Sequence, residues 1–353
     1  MQKTSAFRRF LRDKSALLLI ILIVLTLITM VISSGVLDGE PLSALFTKGF
    51  MASGNLINIF YNLVIQCLMM CGIGLILISG NIDLSVAGQA TLSTMVFAWL
   101  CQKTAMPWPV ALLICLALAV VFGLVNTLLV NGLKFPSFIA TIGMASIYRG
   151  LCNVMTMGNN IQVARQGFLK LGTANLFGIL PATFLFAIVL VAFYQFVLTK
   201  TTFGRSVYMA GGNPAAARLS GLNPNKIRMI LFINNSILAA LGGLLWTAQI
   251  KLASPTAIIS AAPDLSVISA SILGGISFMG GAGHLGGALV ALLLLNVFDN
   301  MLTVIGVQSY WNVFAQGLLL AVALIIDHIN AERRRKALLY AEKHAGEAHT
   351  QAA

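Results

Sequence analysis

Charge is what this chain has least of. Charged residues fill 9% of its 353 positions, against about 25% in an ordinary soluble protein. Only ten of them are acidic. So little charge cannot clothe a water-facing surface, which excludes an ordinary soluble enzyme and a disordered chain. Cysteine is also sparse. The five thiols (Cys67, Cys71, Cys101, Cys115, Cys152) lie in or beside apolar runs, which excludes a disulfide-stapled secreted module. Cys67 and Cys71 share a helix face, but no histidine or second cysteine pair joins them, so no metal site is expected. No G-x-x-x-x-G-K-[ST] occurs, so the chain itself binds no ATP through a phosphate-binding loop. No nucleophile and base stand at readable spacing, and no catalytic residue and no cofactor are expected.

What is present is apolar. Hydrophobic residues make up 58% of the chain and the mean hydropathy is +0.92. A membrane span needs about 20 such residues. Apolar runs near 16–34, 57–79, 86–101, 109–130, 136–156, 179–198, 228–250, 265–280, 286–306 and 311–327 predict an all-α polytopic membrane protein of about ten transmembrane helices. The first run is too long for a cleaved signal and has no A-x-A site after it, so it reads as a retained anchor.

The net charge of +12 does not point to nucleic acid, because the basic residues form no single stripe. They gather at 1–15 (Lys3, Arg8, Arg9, Arg12, Lys14), at 199–228 (Lys200, Arg205, Arg218, Lys226, Arg228) and after Asp327 (Arg333, Arg334, Arg335, Lys336, Lys343). The positive-inside rule places all three in the cytoplasm. This predicts a cytoplasmic N-terminus over 1–15, a transmembrane domain over 16–327 and a cytoplasmic basic tail over 328–353. The turns at 80–85 and 281–285 carry no Lys or Arg and read as breaks at membrane depth rather than loops.

The loop at 199–228 contains capping signals. Asn213 suits a helix N-cap, Pro214 the first turn and Gly221 the stop. A short helix over 214–220 is expected outside the bilayer. So short a helix is unstable alone and must pack on its own bundle or on a partner.

The tetrapeptide Asp-Leu-Ser-Val occurs at 83–86 and again at 264–267. Each copy opens the third span of a five-span half, the pattern of a 5+5 inverted repeat. The spans contain few acids: Asp83, Asp264, Asp299 and Asp327. Ionisable groups at depth need a partner or a cavity. Asn81, Asp83 and Ser85 sit where Gly80 interrupts an apolar helix. They read either as helix caps or as polar elements beside a translocation path, and Asp264 reads the same way. Asn296, Asp299 and Asn300 follow one helix face that meets protein or water. The run from Gly281 to Gly286 matches G-x-G-x-x-G, but a glycine-rich apolar span precedes it instead of a strand, so it reads as tight packing, and His284 within it is assigned no chemistry.

Several of these stretches resemble one known family. Asn55 to Ile59, Gly80 to Val86, Phe138 to Gly143 with Arg149-Gly150, Thr202 to Arg205, Ala210 to Asn213, Ala216 to Gly221, Asn225-Lys226, Leu273 to Gly275 and Gly280 to Gly283 are similar, in order, to motifs of the permease subunits of bacterial ABC importers for ribose, xylose, arabinose and galactose. These share a superfamily with branched-chain amino-acid permeases. The chain departs from the pattern at Ala87-Gly88-Gln89, at Ile258 to Pro263 and at Asp264, where many members have glutamate.

The resemblance implies a bacterial inner-membrane permease, working as two copies. It implies a cytoplasmic ABC ATPase subunit that binds the ATP, and a periplasmic sugar-binding protein that delivers a monosaccharide or related polyol. It makes the 214–220 helix a coupling helix, with Gly204, Arg205, Gly212, Asn213, Ala216, Arg218 and Gly221 at the ATPase interface. A branched-chain amino-acid permease and an ion-coupled carrier using Asp83 and Asp299 remain as alternatives.

Overall fold

In lipid every backbone N–H and C=O has to be paired within its own segment, so long apolar runs become helices. The computed structural model describes residues 14–308 apart from 105, 177, 179 and 262, with scattered positions as far as 332. In chain order its helices are α1 (Lys14–Ser33), α2 (Ser53–Ile78), α3 (Val86–Lys103), α4 (Trp108–Thr127), α5 (Ser137–Thr156), α6 (Gln166–Thr173), α7 (Ala182–Lys200), α8 (Thr202–Gly212), α9 (Pro214–Leu219), α10 (Pro224–Ile250), α11 (Ala257–Ser260), α12 (Pro263–Leu273) and α13 (Leu285–Val304). A π-helical turn, Leu128–Gly132, continues α4. Four two-residue strands, β1 (Ile161–Gln162), β2 (Asn175–Leu176), β3 (Leu180–Pro181) and β4 (Leu252–Ala253), pair as β1 with β4 and β2 with β3.

The all-α polytopic architecture stands, and nine of the ten expected spans correspond to helices: α1 to α5, α7, α10, α12 and α13. Among the described residues, seven stretches are long and apolar enough to cross a membrane: the α1 segment (Ala16–Asp38), α2, α4 with its π-turn, α5, α7, α10 and α13. α3 is less apolar because protein surrounds it. Its Gln89, Thr91, Ser93 and Thr94 are all fully buried. α12 is only 11 residues long. The expected span 265–280 stops early at Gly274-Gly275, where Gly275 takes φ +98°, a conformation that costs glycine little. The break runs from there to His284. Only scattered positions of the tenth span, 311–327, are among the described residues, so the count of ten is not established. The basic segments 1–13 and 333–353 lie outside them too.

The turns between helices collect alternately at two ends. At one end the segment 79–85, the α4–α5 turn, α8–α9 and the segment 274–284 meet. There the Ile82 N–H donates to Ser137 Oγ at 3.1 Å, the Gly281 N–H donates to Ile78 O at 2.7 Å, and Asn131 Nδ2 donates to Asn225 O at 2.8 Å. At the opposite end Arg165 Nη2 donates to Cys101 O at 2.7 Å, and Ile161 and Gln162 pair with Ala253 and Leu252.

The centre is α2, whose residues Cys67 to Ile78 are buried without interruption, with α10 packed along it. α1 lies outermost and exposes Leu17, Ile23, Val24 and Leu27 to the lipid side while packing on α13. One feature of the 199–228 loop was not expected from the sequence: a second helix, α8, precedes the short one. Its three glycines mask it in a propensity reading, but Phe203, Val207 and Ala210 turn inward on one face, and Thr201 Oγ1 caps it by accepting the Gly204 N–H at 3.1 Å.

Candidate functional site

A cavity of about 580 Å³ opens near the end opposite α8–α9, between α2, α10 and α13. On α2 the amides Asn55, Asn58, Asn62 and Gln66 fall three or four residues apart and therefore line one face. α13 supplies Asn296, Asp299, Asn300 and Thr303, and α10 supplies Trp246 and Gln249. No Lys or Arg lines it. Part of this surface is self-satisfied. Asn55 and Asn300 exchange amide hydrogen bonds at 2.9 and 2.8 Å, and Asn296 Nδ2 donates to Gln66 Oε1 and to Leu292 O. The amides of Asn58, Asn62 and Gln249 have no partner among the described residues and face the space. The wall thus offers donors and acceptors, one carboxylate and one indole.

Of the residues expected along a path, Asn296, Asp299 and Asn300 come together here. Asn81, Asp83 and Ser85 do not join them. They build a separate node in the segment 79–85. The Asp83 carboxylate is fully buried. Its Oδ1 accepts the Ser85 N–H at 2.9 Å and the Ser85 hydroxyl at 2.5 Å, and its Oδ2 accepts Asn126 Nδ2 at 3.2 Å and Asn235 Nδ2 at 3.0 Å. Ser85 Oγ in turn accepts Gln89 Nε2 at 2.7 Å and Asn126 Nδ2 at 2.9 Å. Four neutral donors from α4, α10 and the start of α3 thus stand in for a counter-ion. The ion pair found among the described residues is the exposed Lys48–Glu40. Thr141 of α5 braces the same segment by accepting the Leu84 N–H at 3.1 Å. Asn81 Nδ2 donates to Ser79 O at 3.1 Å. Asp264, in the second copy of the tetrapeptide, is only half-buried, and its Oδ1 accepts the Leu265 N–H at 3.0 Å.

Asn126 and Asn235 were not singled out from the sequence, Gln89 stood out only as a departure from the family pattern, and the α2 amides, Trp246 and Gln249 were not expected as cavity residues. The signal was present in the α2 amides, spaced as one stripe through an apolar run. For Asn126 and Asn235 it was only their occurrence, as lone amides in apolar helices.

At the other end, α9 runs over Pro214–Leu219, within one residue of the expected helix. Asn213 Oδ1 caps it by accepting the N–H groups of Ala215 at 3.1 Å and Ala216 at 3.0 Å. Arg205, Gly212, Ala216, Arg218 and Gly221 are exposed, whereas Ala217 is buried. Gly204 is buried too, because a side chain there would strike the carbonyls of Val197 and Leu198. It packs α8 onto α7 and offers no surface. Leu219 is 91% exposed at the tip of α9.

α8 touches both helix breaks. A Cβ on Gly211 would collide with Ile78 O, and Tyr208 Oη donates to Gly283 O at 2.6 Å. Burial raises the Tyr208 pKa, which keeps the phenol protonated and donating. The Gly281–Ile78 hydrogen bond joins the two breaks to each other. His284 caps α13, its Nδ1 accepting the Gly287 N–H at 2.9 Å. No group of His, Cys, Asp and Glu suited to a metal occurs among the described residues.

The profile of the family described as "Branched-chain amino acid transport system / permease component" matches residues 55–324. The chain belongs to that family. Among curated relatives of this permease, the autoinducer 2 import system permease protein LsrC of Escherichia coli O9:H4 (strain HS) is 32% identical over 280 residues, 79% of this chain and 81% of the relative. The ribose import permease protein RbsC of Haemophilus influenzae is 31% identical over 292 residues, 81% and 88%. LsrC of Salmonella choleraesuis (strain SC-B67) is 31% identical over 303 residues, 86% and 84%. No solved structure matches the permease. Family and helices together make it a multi-pass membrane permease component.

Proposed function

We propose that the chain is the permease subunit of an ATP-driven, binding-protein-dependent importer, and that its cargo is a monosaccharide or related small polyol. The observation that carries this is the amide-lined cavity. Uncharged polyhydroxyl molecules are held by donors and acceptors that need no fixed counter-charge. Asn58, Asn62, Gln249 and Asp299 supply both kinds, and Trp246 offers a face for the C–H side of a sugar ring. The relatives named for autoinducer 2 and ribose import support the same reading.

The family's description suggests amino acids instead. An amino acid brings a carboxylate, which needs a cation or a free helix N-terminus. No cation lines the cavity, and the α12 N-terminus at its rim carries Asp264, which already holds the Leu265 N–H and repels a second carboxylate. An ion-coupled carrier would bind its ion on Asp83 or Asp299. Four donors already occupy Asp83.

In this reading the α8–α9 end is cytoplasmic, as are both termini, and the protein resides in the bacterial inner membrane. ATP binds only to the partner ATPase. α9 is the coupling helix. Arg205, Gly212, Asn213, Ala216, Arg218 and Gly221 form its contact region, with Leu219 as the apolar anchor, while Gly204 holds α8 in place. A push on α9 passes through α8 to Ile78 and Gly283, so both breaks move with it. The exposed Asn58 and Asn62 at membrane depth fit a path closed by a second copy of the chain. A periplasmic binding protein delivers the cargo to the cavity end.

The test is uptake by vesicles containing the permease, its ATPase subunit and the binding protein. ATP-dependent entry of labelled pentose, with no entry of leucine, is expected. Uptake driven by an ion gradient without ATP overturns the importer, and ATP-driven uptake of leucine overturns the cargo.

A further inference from the structure

A second cavity, of about 510 Å³, lies at the α8–α9 end and is separate from the cargo cavity. It is walled by the turn after α4 and by the starts of α5 and α10. Three cations, Lys134, Arg218 and Arg228, line it together with Asn81, Asn131 and Asn225, and no acid does. Arg218 and Arg228 border the same hollow. None of the three cations has a hydrogen bond or ion pair among the described residues, and Arg228 Nε is buried without a partner. Guanidinium cannot shed its charge, so a half-buried arginine whose Nε is shielded without a partner calls for an anion. Lys134 is held at φ +59°, a conformation that L side chains rarely adopt.

We propose that this cavity binds the phosphate of an anionic phospholipid. The lipid source is favoured by what flanks the cations. Leu133, Phe135, Phe138 and Ile139 are each at least half exposed and continue from the cavity along α5. A basic hollow edged by an exposed apolar strip matches a headgroup and its acyl chains. Gly80 also borders the hollow, so the lipid touches the break between α2 and α3.

The test is native mass spectrometry of the full-length chain titrated with phosphatidylglycerol or phosphatidylcholine. One phosphatidylglycerol per chain is expected, bound at least about tenfold more tightly than phosphatidylcholine. At roughly fivefold per basic residue, Lys134→Gln weakens it about fivefold and Lys134→Gln with Arg228→Gln about twenty-five-fold. Lys226→Gln, exposed on the same helix and outside the hollow, leaves it unchanged. Thermal melts establish folding; if the double variant melts early, the exposed Lys134→Gln carries the test alone. Equal binding of the two lipids, or normal binding by Lys134→Gln, overturns the proposal. Inorganic phosphate that binds by itself and displaces the lipid assigns the hollow to a free anion and overturns the lipid. Displacement by the docked ATPase subunit assigns it to a protein carboxylate and overturns it equally.

Discussion

Asp83 and Asp264 open identical tetrapeptides, yet removing their carboxylates should have very different consequences. In Asp83→Ala the Asn235 Nδ2, the Ser85 N–H and the Ser85 hydroxyl lose the acceptors they have at 3.0, 2.9 and 2.5 Å in a fully buried setting. Asn126 keeps a second acceptor in Ser85 Oγ at 2.9 Å and is partly rescued. Three orphaned buried donors cost about 1–3 kcal/mol each, so the variant should lose about 3–9 kcal/mol. At about 2–4 °C per kcal/mol for a chain of this general size, the melting temperature falls by at least about 6 °C. Asp83→Asn keeps the volume but turns one acceptor into a donor facing donors, and should lie between wild type and Asp83→Ala. Asp264 is half-buried and holds a single local N–H, so Asp264→Ala should cost about 1 kcal/mol or less. The assay is thermal unfolding of the three variants in one lipid nanodisc preparation. Equal melting of Asp83→Ala and Asp264→Ala, or an unshifted Asp83→Ala, refutes the claim that the Asp83 node ties α3, α4 and α10 together.

Other consequences follow from the same geometry. Leu219→Asp should abolish co-purification of the ATPase subunit while leaving the melting temperature within about 1 °C, because the side chain is 91% exposed and touches little of its own chain. Gly211→Ala should cut sugar uptake at least about tenfold with the ATPase still docked, since its methyl group cannot fit beside Ile78 O, and uptake with ATPase association measured on one sample separates the two effects. Tyr208→Phe removes one hydrogen bond to Gly283 O, worth about 0.5–1.5 kcal/mol, and should raise the ATP hydrolysed per sugar imported. Asn62→Leu should lower uptake while sparing ATPase docking, because it replaces an unpartnered cavity amide with an apolar side chain; unchanged transport would remove Asn62 from the path.

The properties legible in one dimension were those set by local physics. Low charge forces lipid as the solvent, run length sets the helices, and Asn213-Pro214 with Gly221 marks α9 because capping depends on neighbours a few residues apart. The polar positions in the spans were visible as chemistry but not as groupings. Asp83 meets Asn126 at a separation of 43 residues and Asn235 at 152, contacts set by how α4 and α10 are rotated about α2. The same rotation sorts Asn296, Asp299 and Asn300 into a cavity with the α2 amides and leaves Asp83 and Ser85 outside it. It also packs α8 on both helix breaks and gathers Lys134, Arg218 and Arg228 around one hollow. Helix order and rotation come from side-chain packing summed over the whole bundle, so only the tertiary structure could decide which polar groups share a space.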